Sequence, residues 1–430
     1  MGNTYYWDPA ADYVAARTGA LEDELTGPGG FHALQTEYGA APLVAAGDTV
    51  LCKAGACDLQ RYVKITLDGQ YAGWVNGVTV SDNNGGTEWT GVIVEGDEAN
   101  PSILYVQLDS PFNIGDIIAG HGIYSSLEAA AGIAAVALHQ LYVGETGSAG
   151  DGNIIFRGVD ASWTEFTAGD DPMDFQVVFD GLVDGGATQA TYCLYITTGP
   201  DFIRFENFTF QNASSHNVYF ITNYCDYWVF DHCRFSASAG GSGLYANVLL
   251  RYATVMNCLA RDNAGGAGFY RPGLYSSITQ CVASGNSTEG ANVSVHGISI
   301  DNSLFYDNDL DNIIVAGNGI LIRNCVCDGS SAGSGVRIDS DSALVMGCRL
   351  TNNQYGIEQD TANECSIEDW NVFFGNAQGD LLNMVSGIHS YGDGANHIAD
   401  PETDGYVDGS YNVASGAEHR NTAIVLNWDE

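Results

Sequence analysis

Basic residues are scarce in this 430-residue chain. It has 14 Lys and Arg against 53 Asp and Glu, which gives a formal net charge of −39 at pH 7, and its only lysines are Lys53 and Lys64. A surface this acidic repels nucleic acid and anionic lipid, so we expect neither nucleic acid nor a membrane as a partner. The acidity itself has two explanations, solubility or the collection of Ca²⁺ or a basic partner, and both stay open.

Long apolar runs are missing as well. No stretch approaches the ~18 apolar residues of a membrane span, and residues 1–7 have neither the basic start nor the apolar run of a signal peptide. The sequence therefore predicts a protein without a membrane span that is synthesised without a visible signal peptide.

Residues 203–372 repeat a short phrase: an apolar residue, a spacer, often Asn or another polar residue, and then a small or apolar residue, usually Cys. The anchors are 22 to 25 residues apart and lie at Phe208, Cys233, Cys258, Cys281, Ser303, Cys325, Cys348 and Trp370. A fixed period in this range is typical of a solenoid, in which each coil buries its apolar face only against its neighbours.

Each repeat clusters β-forming residues over five to seven positions, which is too short for a helix. Turn residues follow about five positions after the anchors, at Asn263, Asn286, Asn308, Ser330 and Asn353. Asn tolerates the left-handed backbone conformation of a sharp turn. Leucine-rich repeats share the period, but their Leu ladder is missing. The pattern predicts an all-β fold, a right-handed parallel β-helix.

Two segments outside the repeat resemble a known superfamily. Residues 45–50 (Ala-Ala-Gly-Asp-Thr-Val), Gly55 and residues 62–69 are similar to the opening of the first coils in the pectate-lyase-like β-helix superfamily. Residues 399–401 (Ala-Asp-Pro) with residues 406–408 resemble the Asp-Pro segment that often closes such helices. The resemblance covers most of residues 45–410. It implies the fold but no activity, because the superfamily includes lyases, hydrolases, epimerases, phage tailspikes and inert adhesins.

The pattern divides the chain into an N-terminal cap, a first coil, an inserted module, the main β-helix and a C-terminal cap or tail. Their boundaries are 1–44, 45–73, 74–150, 151–396 and 397–430. In the cap we expect two short helices, one beginning at Asp8 and one over residues 21–25.

In the inserted module we expect β-hairpins and an Ala-rich helix, opened by the capping box at Ser125 and ending near Leu141. Insertions in solenoids often carry specific contacts. The module is therefore our candidate for docking to a partner or a neighbouring copy, with a decorated loop without a partner as the alternative.

Five of the eleven cysteines occupy equivalent positions in successive repeats. We expect them to be reduced and to stack inside the coil as small apolar groups. Free thiols and a missing signal peptide indicate folding in a reducing cytoplasm. A β-helix made there and used outside fits a virion or extracellular-surface location, as in a phage particle released by lysis.

The sequence assigns no catalytic residue. Both lysines fall in the first coil and the arginines form no single row, so a polysaccharide lyase is not favoured. Of the four motifs of polygalacturonase-like enzymes only Gly-His-Gly appears, at residues 120–122. Acids on neighbouring coils, such as Asp226 with Asp231 or Asp307 with Asp339, would suit glycoside hydrolysis. With 53 acids in the chain, chance pairing also explains them.

Two groups of residues are candidate binding sites. The alternating carboxylates Asp307, Asp309 and Asp311 would suit Ca²⁺, the one cofactor that we expect, with a solvated acidic turn as the alternative. Aromatic residues near the turns would stack on sugar rings, although some aromatic residues must belong to the core. These candidate glycan-binding residues are Tyr224, Tyr227, Trp228, Tyr270 and Tyr275.

Together these features predict a non-enzymatic structural or adhesive β-helix, in the first place a phage virion component such as a capsid decoration, head-fibre or tailspike-like protein. It would self-associate, with a trimer favoured, or bind other virion or surface proteins or a glycan. The alternatives are a carbohydrate-active enzyme, either a glycoside hydrolase or a polysaccharide lyase, and a cell-surface or filament-forming structural protein.

Overall fold

The structure is a computed structural model that divides into two compact units, Met1–Ser214 and Ser215–Glu430. It describes residues 2–9, 24–26, 44–70, 74, 77–82, 89–96, 102–110, 122–125, 131–138, 141, 143, 146–167, 172–182, 188–196, 199–221, 224–246, 250–330, 332–340, 342–360, 366–384, 390 and 392. Within these ranges no helix is long and apolar enough to cross a membrane.

The first unit combines short parallel strands with an inserted antiparallel barrel. Its first strands are β1 (Thr4–Asp8), β2 (Glu24–Thr26), β3 (Thr49–Lys53) and β4 (Gly55–Asp58). The barrel strands are β5 (Tyr62–Leu67), β6 (Thr79–Asp82), β7 (Thr90–Gly96), β8 (Ile103–Leu108), β9 (Gly122–Ser125) and β10 (Ala131–Leu138). The coil resumes with β11 (Ile154–Val159), β12 (Val177–Asp180), β13 (Leu194–Ile196), β14 (Ile203–Glu206) and β15 (Phe208–Gln211). Two 3₁₀ turns lie at Leu59–Arg61 and Pro172–Phe175.

Parallel register holds the coils of the first unit together. Strand β3 pairs with β11 and β11 with β14, so that Val50, Phe156 and Phe205 are aligned and fully buried. Strand β4 pairs with β12 and β12 with β15 in the same way. Alternating inward residues therefore form the core, as expected where each coil stacks on the next.

The second unit consists of three stacks of parallel strands. Stack 1 contains β16 (Val218–Phe220), β20 (Leu244–Ala246), β24 (Phe269–Tyr270), β27 (Ala291–Val293), β30 (Ile313–Val315), β33 (Val336–Ile338), β36 (Tyr355–Gln359) and β39 (Gly379–Leu382). Stack 2 contains β18 (Val229–Asp231), β22 (Thr254–Met256), β25 (Ser277–Thr279), β28 (Ser299–Asp301), β31 (Ile320–Arg323), β34 (Ala343–Met346) and β37 (Ile367–Asp369).

Stack 3 contains β19 (Arg234–Ser236), β23 (Leu259–Arg261), β26 (Val282–Ser284), β29 (Leu304–Tyr306), β32 (Val326–Asp328), β35 (Arg349–Thr351) and β38 (Val372–Phe374). A short pair, β17 (Cys225–Asp226) and β21 (Leu250–Arg251), lies between stacks 1 and 2 along the chain. Each coil contributes one strand to each stack, which confirms the predicted parallel β-helix.

The cysteine positions of the second unit stack in its interior as predicted. Cys233, Cys258 and Cys281 lie at the bend between stacks 2 and 3 and are fully buried. Ser303 takes the same place one coil later, where it accepts a hydrogen bond from the Cys281 amide at 3.1 Å. Each described cysteine is free and buried, and Cys365 lies outside the described residues.

The last anchor of the repeat was assigned one residue too early. Asn371, not Trp370, takes the inward position, because its amide oxygen accepts a hydrogen bond from the Cys348 amide at 2.8 Å. Its Nδ2 donates to the Val345 carbonyl at 2.9 Å. The Trp370 side chain is 41% exposed at the preceding corner, because the narrow interior accepts a small group there and not an indole.

The repeated Asn residues have another role than the one expected from the sequence. Asn263, Asn286 and Asn308 point inward and form a ladder, in which each Nδ2 donates to the next Oδ1, at 2.8 and 2.9 Å. The left-handed conformation belongs to the preceding residue, such as Asp262 (φ 56°) or Asp307 (φ 52°). The turn was predicted correctly, but the Asn stabilises it by hydrogen bonding and not by its own φ.

The inserted module is a closed antiparallel barrel with the strand order β10-β5-β8-β7-β6-β9. Trp74, Trp89 and the inward residues Val63, Ile65 and Leu104 are in its core. The antiparallel hairpins were expected. Strand β5, which the resemblance assigned to the first coil, belongs instead to this barrel, because it pairs antiparallel with β8 and β10.

The predicted Ala-rich helix is wrong. Residues 131–138 form β10, which pairs with β5 and β9, and Ser125 is the last residue of β9 and not a helix cap. Ile133 lies against Leu67 in the register. Pairing on both sides closes the barrel and leaves no strand edge open, which outweighs the weak helical preference of alanine.

The expected helices of the N-terminal cap also differ from the structure. Asp8 ends strand β1 and binds Lys53 at 2.9 Å. The described end of the second predicted helix, Glu24 and Leu25, belongs to β2, which pairs parallel with β1. Residues 10–23, the Gly-His of the 120–122 motif and residues 393–430, with the Asp-Pro segment, lie outside the described residues.

Candidate functional site

One corner of the second unit carries exposed tyrosines in three successive coils. We call it the tyrosine corner. It lies where the chain enters stack 2, and in five successive coils it is occupied by Tyr227, Tyr252, Tyr275, Gly297 and Gly319. The three side chains are 43%, 43% and 59% exposed. Large apolar groups are usually withdrawn from solvent, so this row is a candidate contact surface.

The three rings stack on one another. The Tyr227 and Tyr252 ring centroids are 5.1 Å apart with planes 14° from parallel, and those of Tyr252 and Tyr275 are 5.8 Å apart at 19°. Neighbouring strands are separated by about 4.8 Å, so equivalent rings on successive coils meet without rearrangement. Both faces of Tyr252 are covered by rings, and the corner therefore presents ring edges and hydroxyl groups.

All members of the tyrosine corner have a left-handed backbone. The φ angles of Tyr227, Tyr252 and Tyr275 are 59°, 54° and 53°, and those of Gly297 and Gly319 are 70° and 71°. Bulky residues rarely adopt this conformation, which costs of the order of 1–3 kcal/mol each. Glycine, used in the next two coils, avoids that cost. The backbone conformation of this corner therefore favours glycine and does not explain why three coils have tyrosine there.

Tyr224 lies close to the corner in the chain and is held by an arginine. The Arg251 guanidinium carbon is 4.4 Å from the Tyr224 ring centroid, and Tyr224 is 57% exposed. Arg251 also donates two hydrogen bonds to Asp226, at 2.7 and 2.6 Å. The bidentate pair fixes the guanidinium plane against the tyrosine ring, since a fork of two bonds leaves it little freedom to rotate.

A second row of tyrosines lies on the outward face of stack 1. Tyr219, Tyr245 and Tyr270 are aligned in register, and the Tyr245 and Tyr270 rings stack with centroids 4.7 Å apart at 7°. Arg271 lies over Tyr270, 5.4 Å from its centroid. Tyr219 meets Tyr245 edge to face, with ring centroids 5.2 Å apart, so the three rings are again packed on one another within the protein.

His216 packs on this row with its centroid 4.3 Å from that of Tyr245. Its Nδ1 accepts a hydrogen bond from the Ser242 amide at 2.9 Å. Burial lowers the pKa of His216 to about 4, so the imidazole is neutral near pH 7. His216 therefore adds no positive charge to the row.

Trp228 must be removed from the predicted glycan-binding residues. Its side chain is fully buried and packs edge to face on Phe220, with centroids 4.8 Å apart. It follows Tyr227 in the sequence, but the left-handed turn at Tyr227 leaves the Tyr227 ring exposed and the Trp228 side chain in the core. The structure places Tyr224, Tyr227, Tyr270 and Tyr275 at the surface of the second unit.

Sequence reasoning did not select Tyr252, Gly297, Gly319 or Arg251. A signal was present: Tyr227, Tyr252 and Tyr275 are 25 and 23 residues apart, the same steps as Cys233, Cys258 and Cys281. Aromatic residues that follow the period of the coil must lie in one column. Their left-handed backbone and the sharing of their ring faces were not visible in the pattern.

The three predicted calcium ligands point in different directions. Asp307 is an exposed corner residue, and its Oδ1 lies 2.7 Å from the position that a Cβ on Gly329 would take. Asp309 is exposed, whereas Asp311 is 5% exposed and accepts a hydrogen bond from the Ser334 amide at 2.6 Å. Among the described residues no three His, Cys, Asp or Glu side chains lie close enough to hold a metal ion.

Three of the four acids considered for catalysis are engaged with basic or amide groups, and the fourth, Asp307, is the exposed corner residue described above. Asp226 is bound by Arg251, and Asp231 accepts a hydrogen bond from Asn257 at 2.9 Å. Asp339 accepts one from Arg337 at 3.0 Å. These contacts explain the three acids as structural ion pairs and hydrogen bonds of the coil surface.

Among the described carboxyl groups, that of Asp311 has the largest shift in pKa. Burial raises its pKa to about 6, against the lowering effects of the Ser334 amide and of Arg337, whose Nη1 is 3.9 Å from Oδ2. The Ser334 hydroxyl donates to Glu358 at 2.8 Å. Ser334 thus binds both Asp311, in the preceding coil, and Glu358, in the following coil.

Comparisons with known proteins point to the fold only. No family model and no curated protein matches the chain. Among solved structures, pectate lyase Pel9A is 15% identical with a TM-score of 0.47, over 97% of this chain and 82% of that one. A structure titled glycoside hydrolase is 10% identical with a TM-score of 0.46, over 89% and 96%.

A phage protein is also similar. Tailspike protein 2 from the Escherichia coli O157:H7 bacteriophage CAB120 is 12% identical with a TM-score of 0.40, over 60% of this chain and 38% of that one. These values are too low to transfer an activity, substrate or assembly to this chain. The parallel β-helix is established by the strand register described above.

Proposed function

We propose that the chain is a non-enzymatic, glycan-binding structural β-helix whose tyrosine corner and stack 1 tyrosine row contact neutral sugars. Phenol groups both donate and accept hydrogen bonds and present apolar ring edges, which matches the mixed surface of a sugar. The net charge of −39 disfavours anionic glycans. The setting that we propose is a virion or another external structure.

The observation that carries this proposal is the left-handed conformation of three exposed tyrosines. Each costs folding free energy, and glycine in the next coils shows that the corner can be built without that cost. Exposed tyrosines at a strained position favour a contact with something outside the coil. A rigid parallel ladder beneath them holds the hydroxyl groups in a fixed row.

The experiment is binding to uncharged oligosaccharides, measured by isothermal titration calorimetry with cellohexaose, xylohexaose, maltohexaose and chitohexaose. We expect at least one to bind, and Tyr252→Ala to weaken that binding by roughly tenfold. Tyr306→Ala, on the outward face of stack 3, is the matched control and leaves affinity unchanged. Absence of binding to all four sugars by the wild-type protein contradicts the proposal.

The virion setting is supported by the free, buried state of the described cysteines, which suits synthesis in a reducing cytoplasm. We further propose that the protein self-associates, with a trimer favoured, or binds other virion or surface proteins, and that the inserted barrel contributes to these contacts. Light scattering of the purified protein, with Ca²⁺ and with EDTA, measures the assembly. A monomer at every concentration in both buffers contradicts self-association.

One observation favours a second candidate, glycoside hydrolysis. Asp311 keeps a proton to about pH 6, and Ser334 connects it to Glu358 two coils away. Two coils span about 9.6 Å of backbone, and inverting glycosidases hold their two carboxyl groups roughly 6.5–9.5 Å apart. A buried carboxyl group with a raised pKa and a second carboxyl group joined to it through Ser334 suit general acid and base catalysis.

The second candidate is tested by incubating the same four hexasaccharides with the protein and measuring new reducing ends. Hydrolysis that is lost in both Asp311→Asn and Glu358→Gln supports it. No cleavage by the wild-type protein between pH 4 and pH 8 removes the enzyme as an alternative for these sugars.

A further inference from the structure

The ring stack of the tyrosine corner ends at Tyr275. Its ring lies directly over Gly297, the next residue of the corner: a Cβ added to Gly297 would be 2.5 Å from Cδ1 and 3.0 Å from Cε1 of Tyr275. No side chain fits at 297 while the Tyr275 ring keeps this position. Tyr275 is also more exposed than the two rings stacked before it, at 59% against 43%.

One coil further, the corner is open. A Cβ added to Gly319 would meet no atom within 4 Å, and Gly319 is exposed. Because the Tyr275 ring already covers Gly297, the opening beside the last ring of the stack spans one coil, about 4.8 Å, at Gly319. This length is comparable to the dimensions of a single sugar ring.

The backbone alone does not demand glycine at these two positions. At the bend between stacks 2 and 3, the same coils have Asn302 and Asn324 with φ angles of 51° and 53°. Asn therefore satisfies the same left-handed conformation elsewhere in the same coils. Glycine at 297 and 319 removes side-chain volume next to Tyr275, which Asn would not do.

Polar groups border the opening. His296 precedes Gly297, is exposed, and its Nδ1 accepts a hydrogen bond from the Asn318 amide at 2.9 Å. With Nδ1 as an acceptor, the ring proton is on Nε2, which makes His296 a hydrogen-bond donor. Asn318 is also exposed and adds an amide next to Gly319.

We propose that Tyr275, Gly297 and Gly319 form a subsite for one uncharged pyranose ring, packed on the Tyr275 ring and hydrogen bonded by His296. It rests on the proposed glycan binding and locates one end of the bound oligosaccharide. The apolar face of a pyranose matches the ring, and the absence of a lysine or arginine among these residues fits a sugar without a carboxylate.

The proposal is tested by a substitution that fills the opening with a side chain and leaves the three stacked tyrosine rings in place. Asn tolerates a φ of 71° better than other side chains, and a Cβ at 319 meets nothing, so we expect Gly319→Asn to fold with only a small loss of melting temperature. Its side chain would occupy the subsite and weaken binding of the best-bound hexasaccharide by about tenfold in calorimetry. Gly347→Asn is the matched control. Gly347 also has a positive φ, 64°, but lies at the bend between stacks 2 and 3, where an added Cβ would displace only the amide end of Asn324. We expect this variant to keep wild-type affinity.

Gly319→Asp provides a second variant with the same tolerance of the left-handed conformation. Wild-type affinity in a folded Gly319→Asn or Gly319→Asp protein overturns the subsite. If the Gly319 variants bind like wild type but Tyr252→Ala still weakens binding, the tyrosine corner binds the glycan without the proposed subsite. If the wild-type protein binds none of the four sugars, both proposals are overturned together.

Discussion

Tyr252 stacks face to face on Tyr227, with ring centroids 5.1 Å apart, although both residues hold a left-handed backbone. An aromatic pair contributes roughly 0.5–1.5 kcal/mol beyond its burial, whereas a bulky residue with this φ costs about 1–3 kcal/mol. The stack therefore offsets only part of the strain. Because the backbone strain exceeds the stacking free energy, the tyrosines do not stabilise the fold, which supports a binding function for this corner.

The strain is measurable by comparing Tyr252→Gly with Tyr252→Ala. Both variants lose the two ring contacts, but only Ala keeps a Cβ at a φ of 54°. We expect the glycine variant to be the more stable by about 1 kcal/mol in urea-induced unfolding, since the left-handed conformation costs an L-residue about that much. Equal stability, or a more stable alanine variant, would show that the corner is unstrained.

The cysteine ladder should accept serine but not a larger residue. Cys258 is fully buried, and its thiol donates to the Met256 carbonyl at 3.1 Å. Ser303 makes the equivalent bond to the Asp301 carbonyl at 2.9 Å in its own coil. We expect Cys258→Ser to lower the free energy of unfolding by about 1 kcal/mol, and Cys258→Leu to cost more, about 1–3 kcal/mol, by overpacking.

The free energy of unfolding in urea distinguishes these outcomes. The same protein also provides a chemical readout, because burial raises the pKa of the Cys258 thiol well above its ordinary value. Native protein should react slowly with a thiol reagent such as DTNB and rapidly after unfolding. Fast reaction of the native thiols would contradict the buried ladder.

The asparagine ladder should be costly to interrupt. Asn286 donates to Asn308 Oδ1 at 2.9 Å and accepts from Asn263 Nδ2 at 2.8 Å, deep in the coil. Asn286→Ala removes both bonds and leaves buried polar groups without partners. We expect it to lower the free energy of unfolding by about 2–4 kcal/mol. Asp309→Ala, an exposed neighbour in the same turn, is the control and should change stability by about 0.5 kcal/mol or less.

Asp311 should make stability depend on pH. Burial raises its pKa to about 6 from an ordinary 3.8, Arg337 lowers it, and Glu358 and Glu289 raise it further. Between these values the folded protein holds a proton that the unfolded chain releases, so the contribution of Asp311 to the free energy of unfolding falls as the pH rises. It is fully favourable below about pH 4 and lost above about pH 6.

Asp311→Asn removes this titration but retains an oxygen for the Ser334 amide. The stability of the variant relative to wild type should therefore rise between pH 4 and pH 7, by a difference on the order of 2 kcal/mol. Urea titrations at both pH values measure it. A stability difference that does not change with pH would mean that the native carboxyl titrates normally.

Several features of the chain were predictable from its sequence because they depend on one coil and its period. The spacing of Cys233, Cys258 and Cys281 fixes which side chains share a column, since equivalent positions of stacked coils must coincide. The same reasoning located the turns after each anchor, near which the exposed Tyr224, Tyr227 and Tyr275 lie. The parallel β-helix follows from these local patterns.

Other features depend on contacts between distant segments and were visible only in the structure. Residues 131–138 become a strand because β5 and β9 need a partner on either side, and Trp228 is buried because neighbouring rings surround it. The pattern shows which residues share a column, but not which way each side chain points or what covers it. The sequence by itself therefore determined the coil, whereas tertiary packing decided the barrel and which aromatic groups reach the surface.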